Sequence, residues 1–531
     1  IGGGFGGKLD ISYIEPVAAL LSKKTGRPVR MEHTRYEDFI TTTRNPIKVY
    51  LKTGVKKDGT FTARYARSLL DAGAHATHGA EVINVHGFAW LSSYACDNVK
   101  WEGKSVYTNN MIGGGYRGYG APQACFAFES QNDEICDTLG LDPIEFRKKN
   151  ARQLGGAHPL VPGLTIDSYA LEEVLDRGAE AIGLGQRHAP GANGDGTRKR
   201  GVGMALFPFW VSGCVGFPDI YEHSGAIVKL NVDGTADVAT ASVDIGSGQI
   251  TTLLQIAAEE LGLPMDAMRM VDTADTTTVP FDAPTHASRI TYGSGLAIKA
   301  AAGEAKKRLL EVAGNMLEAS PDDLEVVDGV VRVKGSPDNS LTVAEVAQRT
   351  ESPFIQYTDQ GPAPTNLGEK GTIMGISSMA PPSNPSPIAA GFVEVEVDTE
   401  TGVVTVERVV YAHDLGRVIN PQGAEGQVEG GFQQGIGYAL MEEIQFDQDS
   451  GTCLTACFLD YKIPTAMEMP TRIESIFVES NEPTGPFGAK SMSEACVVVP
   501  APAIANAIYN ATGARLTDLP MTQEKVLAAL G

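Results

Sequence analysis

The chain has 531 residues, with 43 Lys and Arg against 65 Asp and Glu, and a formal net charge of −22 at pH 7. A surface that acidic repels phosphate backbones and excludes non-specific nucleic-acid binding. Hydrophobic residues at 42% and charged residues at 20% are ordinary for a globular protein with large cores, and no apolar run is expected to reach the roughly 18 residues of a membrane-spanning helix.

At about 100–200 residues per domain the length suggests three or four domains, or two large ones. The chain opens IGGGFGGKLD, inside a glycine loop and without a signal peptide, which reads as part of a longer polypeptide. Residues 11–27 predict a helix ended by Gly26, with Pro28 beyond it. Segments 49–55 and 60–71 alternate around KKDG and predict a hairpin. Residues 129–151 predict two short helices broken at Gly140 and Pro143. Residues 184–200, rich in Gly, Pro, Asn and basic residues, predict a linker between domains at 1–183 and 201–531.

Beyond it, 226–243 predicts a hairpin on a DG turn, and 324–335 and 391–412 predict two more. Residues 249–262 and 290–317 predict helices, as do 424–443 and 494–512. Strands dominated by hairpins and mixed with helices predict an α+β fold with hairpin-rich sheets and packed helices, not a doubly wound parallel one.

Seven cysteines, an odd number without tight pairs, predict reduced thiols and a cytoplasmic protein. Cys453 and Cys457 form a lone C-x3-C, which suits core thiols better than a metal site, and no iron–sulfur spacing is present. Nine scattered histidines without HExxH argue against zinc held by side chains.

The chemistry concentrates in glycine-rich loops. Gly2 to Lys8 fits the bare pattern of a phosphate loop, but Leu9 stands where that loop needs Ser or Thr. What remains is a run of bare amides suited to holding an anion or a flat ring closely. Gly113 to Gln123 sets Arg117 and two tyrosines among glycines, where Arg can reach oxygen atoms and Tyr can stack. Asp244-Ile245-Gly246-Ser247-Gly248-Gln249 and Pro284-Thr285-His286-Ala287-Ser288-Arg289 each precede a helix, whose N-terminus attracts anions. Each alone also matches an ordinary capped helix. Finally, Glu494 precedes the apolar CVVVPAPAIA, where burial would raise its pKa toward that of a general base; a helix N-terminal carboxylate is the plainer alternative.

In this order, GGGFGGK, YRGYGAPQ, DIGSGQ, PTHAS and GAKSMSE resemble the molybdopterin-binding subunit of the xanthine oxidase family of molybdenum hydroxylases. DEICDTLGLDPIEFRKKN and DLGRVINP with GQVEGGFQQGIGYAL extend the resemblance along the whole chain. It implies two large mixed α/β domains around a molybdenum held by a pterin dithiolene, with no direct side-chain ligand. It implies Glu494 as the base in a water-derived hydroxylation of an electron-poor sp² carbon, with hydride passing to a sulfido ligand. Phe5, Arg117, Ala287 and Glu494 would lie nearest the metal. Gly4, Gly6, Gly115, Gly246, Ser247, Gly248, Gln249, His286, Ser288, Lys490 and Ser491 would hold the cofactor, which in bacterial members commonly carries a cytosine dinucleotide. Iron–sulfur clusters and FAD would sit on partner subunits of a hetero-oligomer.

The departures bear on substrate. Xanthine-specific members carry a Glu where Leu9 stands, and their substrate-orienting Arg falls near His86. A stacking Phe becomes Tyr119, a second ring-packing Phe falls near Gly213 and Cys214, and a loop Gln becomes Ser247. These changes point from xanthine toward another N-heteroaromatic such as nicotinate. An aldehyde oxidoreductase or a hydroxybenzoyl-CoA reductase-like enzyme on the same scaffold is the alternative. A non-catalytic structural subunit is the reading of another class, against which intact Glu494 and Arg117 argue.

Overall fold

The computed structural model describes residues 3–9, 11–192, 196–210, 215–217, 220–271, 273, 275–351, 357–358, 361–362 and 371–531. Its elements follow the α+β pattern. The strands Ile47–Val55 and Phe61–Gly73 form the expected hairpin, and Val99–Tyr107 joins Phe61–Gly73 in parallel after the crossover helix Gly79–Ser93. The helix predicted from 129 begins earlier, as Ala121–Leu139, because Gly120 at φ 97° and Pro122 open it; Pro143–Asn150 follows.

A four-stranded sheet orders Arg472–Val478, Val404–Asp414, Ile388–Asp398 and Arg198–Pro208. Both of its faces are covered where residues Ile388 to Val393 of one central strand form an unbroken buried apolar run. Gly391 faces Val499, whereas the next residue, Phe392, packs against Gly178 in helix Leu171–Ile182. Helix Pro500–Thr512 lies directly on strand Arg198–Pro208, because any Cβ at Gly201 or Gly203 would strike the backbone of Ala507.

A second four-stranded sheet orders Met268–Met270, Ala236–Ala239, Ser224–Leu230 and Met374–Met379. Helices Gln249–Leu261 and Gly293–Leu317 pack with it around a separate core. The larger core runs through both sides of residue 184, from Phe61, Trp90 and Phe128 to Phe392 and Ile508. Within it, Glu129 accepts from Arg147 Nε at 2.8 Å, from Tyr94 Oη at 2.6 Å and from the Leu206 N–H at 2.8 Å, tying residues before 184 to the strand after it. Residues 184–200 carry the 3-10 turn Leu184–Gln186 and the start of strand Arg198–Pro208, and the Gly191 N–H bonds Asn510 O.

The expectation that no apolar run reaches spanning length needs correction. Residues Ala495–Thr512 make 18 residues of mean hydropathy 1.3, but 89% of them are buried. This is the core helix beneath the four-stranded sheet. The six described cysteines are unbridged.

Buried His86 bonds Ser68 Oγ at 2.9 Å and Gly120 O at 3.1 Å. Burial depresses it to about 4. Its contribution to stability is therefore present above about pH 6.5, the usual histidine value, and lost as pH falls from there toward 4. Urea unfolding of His86→Gln at pH 7 and pH 5 is expected to show a smaller acid loss than wild type. Gly203→Val, which overpacks the helix–sheet contact, is expected to cost about 3 kcal/mol in the same assay.

Candidate functional site

The glycine-rich loops converge on one cavity of about 500 Å³. Glycine is required because the loops touch backbone to backbone. A Cβ at Gly6, whose φ is 97°, would lie 2.7 Å from Gly115 O. Gly4 packs on Ile245, and a Cβ at Gly246 would lie 3.1 Å from Gly3 Cα. Phe5, Tyr119, Ala287 and Ser288 all line the cavity with positive φ, at 49°, 48°, 46° and 55°. Left-handed backbone at non-glycine residues is strained and persists only where surrounding contacts hold it.

Arg117 is buried and lines the cavity, yet its guanidinium is turned to protein. Nε donates to Ser493 O at 3.0 Å and Nη1 to Gln434 Oε1 at 3.0 Å. Nη2 donates to Gln427 Oε1 at 3.2 Å and also reaches Ser493 O. Its own N–H donates to Phe5 O at 2.8 Å. In this structure the side chain ties the Ser493 loop to helix Pro421–Ile436. Every one of these acceptors is neutral, and the guanidinium charge acts on the nearby Glu494 carboxyl.

Glu494 is partly buried at the cavity wall. Its Oε1 accepts from the Gly118 N–H at 3.0 Å and Oε2 from Ser288 Oγ at 3.2 Å, and its own N–H donates to Ser288 Oγ at 2.9 Å. Burial raises its pKa above the usual carboxylate value, against the Gly118 and Ser288 bonds and the charges of His286 and Arg117.

The Asp244 loop differs from its expected form. The N–H groups of Gly246 and Ser247, expected to face an anion, donate to Asp244 Oδ1 at 2.8 and 3.0 Å. Ser247 Oγ donates to Gln249 Oε1 at 2.8 Å, and Gln249 Nε2 donates to Val243 O at 2.6 Å, so these two side chains brace the loop. Beyond Gly248, at φ 71°, helix Gln249–Leu261 has no cap from its N-cap residue, but Asp244 Oδ2 accepts from the Ile250 N–H at 3.4 Å, so the Asp244 carboxylate also stands at this helix end.

Lys490 is a buried residue, 3% exposed, whose ammonium donates to Asp414 Oδ2 at 2.8 Å, Ser168 O at 3.1 Å and Ser386 O at 3.2 Å. All three protons are spent inside the fold. Ser491 Oγ likewise accepts from the Tyr292 N–H at 3.2 Å. His86, near the place of the family's substrate-orienting Arg, is fully buried and bonded inward. Leu9 and Tyr119 line the cavity, and Tyr119 Oη bonds His78 Nδ1. Gly213 and Cys214 lie outside the described residues.

The sequence did not flag Glu222, which lines the cavity and bonds His286 Nε2 at 2.7 Å. Nor did it flag Glu81, Val85 and Phe209, also in the lining. None sits in a glycine-rich motif.

Comparison with known proteins agrees with this geometry. The molybdopterin cofactor-binding domain families match residues 1–151 and 177–470. A putative xanthine dehydrogenase molybdenum-binding subunit of Escherichia coli (strain K12) is 36% identical over 529 residues, covering 99% of this chain and 68% of the relative. The aldehyde oxidoreductase of Megalodesulfovibrio gigas is 30% identical, covering 100% of this chain and 54% of that protein. The crystal structure of quinoline 2-oxidoreductase from Pseudomonas putida 86 superimposes with a TM-score of 0.86 at 28% identity, covering 100% of this chain and 68% of that one.

The fold and site are those of a molybdopterin-binding oxidoreductase subunit. The chain belongs to the molybdopterin cofactor-binding domain family, as a molybdenum-binding large subunit of the xanthine oxidase type.

If Lys490 is structural, Lys490→Met strands Asp414 as a buried unpaired carboxylate. Chemical denaturation is then expected to show a loss of about 4 kcal/mol. A cofactor-holding lysine would instead give lower molybdenum content at unchanged stability.

Proposed function

We propose that this subunit hydroxylates an electron-poor sp² carbon of an N-heteroaromatic substrate, purine- or nicotinate-like, with water as the oxygen source and Glu494 as the general base. The single observation that carries the reading is the Glu494 carboxyl, desolvated at the cavity wall yet held by the Gly118 N–H and Ser288 Oγ.

The residues fit a pterin-held molybdenum. The cavity of about 500 Å³ is floored by glycines where a Cβ would collide with neighbouring backbone, so bare amides reach its surface. When bound, that group supplies the two-electron redox centre.

The chain's own work is then positional and acid–base. Phe5 and Tyr119 offer ring faces to a planar substrate. The Gly118 N–H and Ser288 hydroxyl fix the Glu494 oxygens, and its raised pKa lets it take a proton near neutral pH. Leu9 removes the acidic contact of xanthine-specific members, which favours nicotinate over xanthine and keeps an aldehyde as the second reading. The cofactor form we propose is the cytosine dinucleotide. Electrons leave to iron–sulfur and FAD groups on partner subunits, and the unbridged thiols suit the cytoplasm.

Metal analysis of the native complex is expected to give about one molybdenum per chain, the one-site stoichiometry of a cofactor of this type. Dye-reduction screening then ranks N-heteroaromatics against aldehydes. Glu494→Gln is expected to keep its molybdenum and lose at least 10²-fold in turnover; normal turnover in that variant would refute the base. In wild type, kcat/KM is expected to fall with decreasing pH along an acid limb centred above the usual carboxylate value, since the ionised form is the active one.

A further inference from the structure

Ala287 and Ser288 are consecutive residues with left-handed backbone, at φ 46° and 55°. Such a turn holds only if its flanks are fixed. The flanks are His286 and Arg289, and one carboxylate reaches both: Glu222 Oε1 lies 2.7 Å from His286 Nε2, and Oε2 lies 2.7 Å from Arg289 Nε. Arg289 is fully buried and is further held by Asp282 at 2.7 Å, Ser224 Oγ at 2.6 Å and Ala283 O at 3.1 Å. Inside the bracketed turn, Ser288 makes the reciprocal pair of bonds with Glu494.

We propose that Glu222 is a positioning residue for Glu494, stapling the 286–289 turn so that Ser288 and the His286 ring stay in place beside the base. The proposal rests on reading Glu494 as that base.

The staple also fixes a charge. His286 Nδ1 faces Pro284 O at 2.6 Å and Nε2 faces Glu222. A carbonyl and a carboxylate only accept, so both ring nitrogens carry protons and the ring is an imidazolium. Burial opposes that charge most strongly, but Glu222, with smaller help from Pro284 O and the Glu494 charge, raises the pKa of the ring on balance. The charged groups around this turn are few. Glu494 is faced by His286 and Arg117, His286 by Glu222 and Glu494, and Arg289 by Glu222 and Asp282; Lys490 is turned away to Asp414.

The test uses the holoenzyme with Glu222→Gln, Glu222→Asp and His286→Asn. In Glu222→Gln we expect kcat to fall about 10- to 100-fold, as for a base slightly out of place, with KM nearly unchanged. The acid limb of its pH profile should move upward, because a neutral ring leaves Glu494 one fewer cation. Glu222→Asp should recover part of both effects.

A second readout avoids turnover. In cofactor-free protein, a water-soluble carbodiimide with glycine ethyl ester labels protonated Glu494, followed by peptide mass spectrometry across pH. The labelling midpoint is expected to rise in Glu222→Gln and in His286→Asn. The histidine variant keeps the Glu222–Arg289 pair and covers any folding failure of the glutamate variants. Wild-type midpoints and pH limbs in both variants would overturn the staple. Activity in Glu494→Gln would overturn only the base, and the labelling shift would still stand as the test of the staple.

Discussion

The site depends on how Arg117 distributes its hydrogen bonds. Its N–H holds Phe5 O of the first glycine loop, and its guanidinium holds Ser493 O of the loop that carries Glu494 and the two glutamines of helix Pro421–Ile436. Two segments far from residue 117 in sequence, the Ser493 loop and helix Pro421–Ile436, are thereby fixed to one rigid planar group, and the first glycine loop to its main chain. Lysine, a point donor on a flexible stem, could not replace it. The glycines then follow as a geometric requirement. Loops this close leave no room for a Cβ atom at Gly6 and crowd one at Gly246, both of which also have positive φ.

Much of the architecture was legible because local rules were obeyed. The hairpins at 47–73 and 388–414 carry their alternation and turn residues openly, and the helices at 14–25, 249–261 and 293–317 show periodic apolar faces. Helix Gly79–Ser93 was missed because it is buried nearly all round, including its polar His86, Ser92 and Ser93, so no amphipathic face marks it. Likewise the apolar stretch 495–512 reads by composition as a spanning helix, and only its place beneath the sheet identifies it as core.

The site was legible as a set of loops and less so as a set of roles. A motif shows that Arg117 and Lys490 belong to the region; it cannot show where their donors point. Lys490 was expected to hold a cofactor but is paired with Asp414, both fully buried, and so braces the sheet end beneath the Glu494 loop. Glu222 carried no signal at all, being a lone carboxylate ahead of a strand. Its part emerges only when residues 222, 286 and 289 come together in space.

These pairings explain how a chain of net charge −22 accommodates an anionic cofactor. The buried cations at Lys490 and Arg289 are each matched to a carboxylate, Asp414 and Asp282, and are neutralised within the fold. His286 is matched to Glu222 but still faces the cavity. Arg117 is matched only to carbonyls and amides, so its charge remains. The positive charge acting on Glu494 comes from His286 and, more weakly, from Arg117, and Arg417 also lines the cavity. A carboxylate desolvated enough to be basic, yet near enough to a fixed cation to ionise, is the electrostatic condition a general base requires. Here His286 and Arg117 together supply the cations, while the Gly118 N–H and the Ser288 hydroxyl hold the carboxyl oxygens in place.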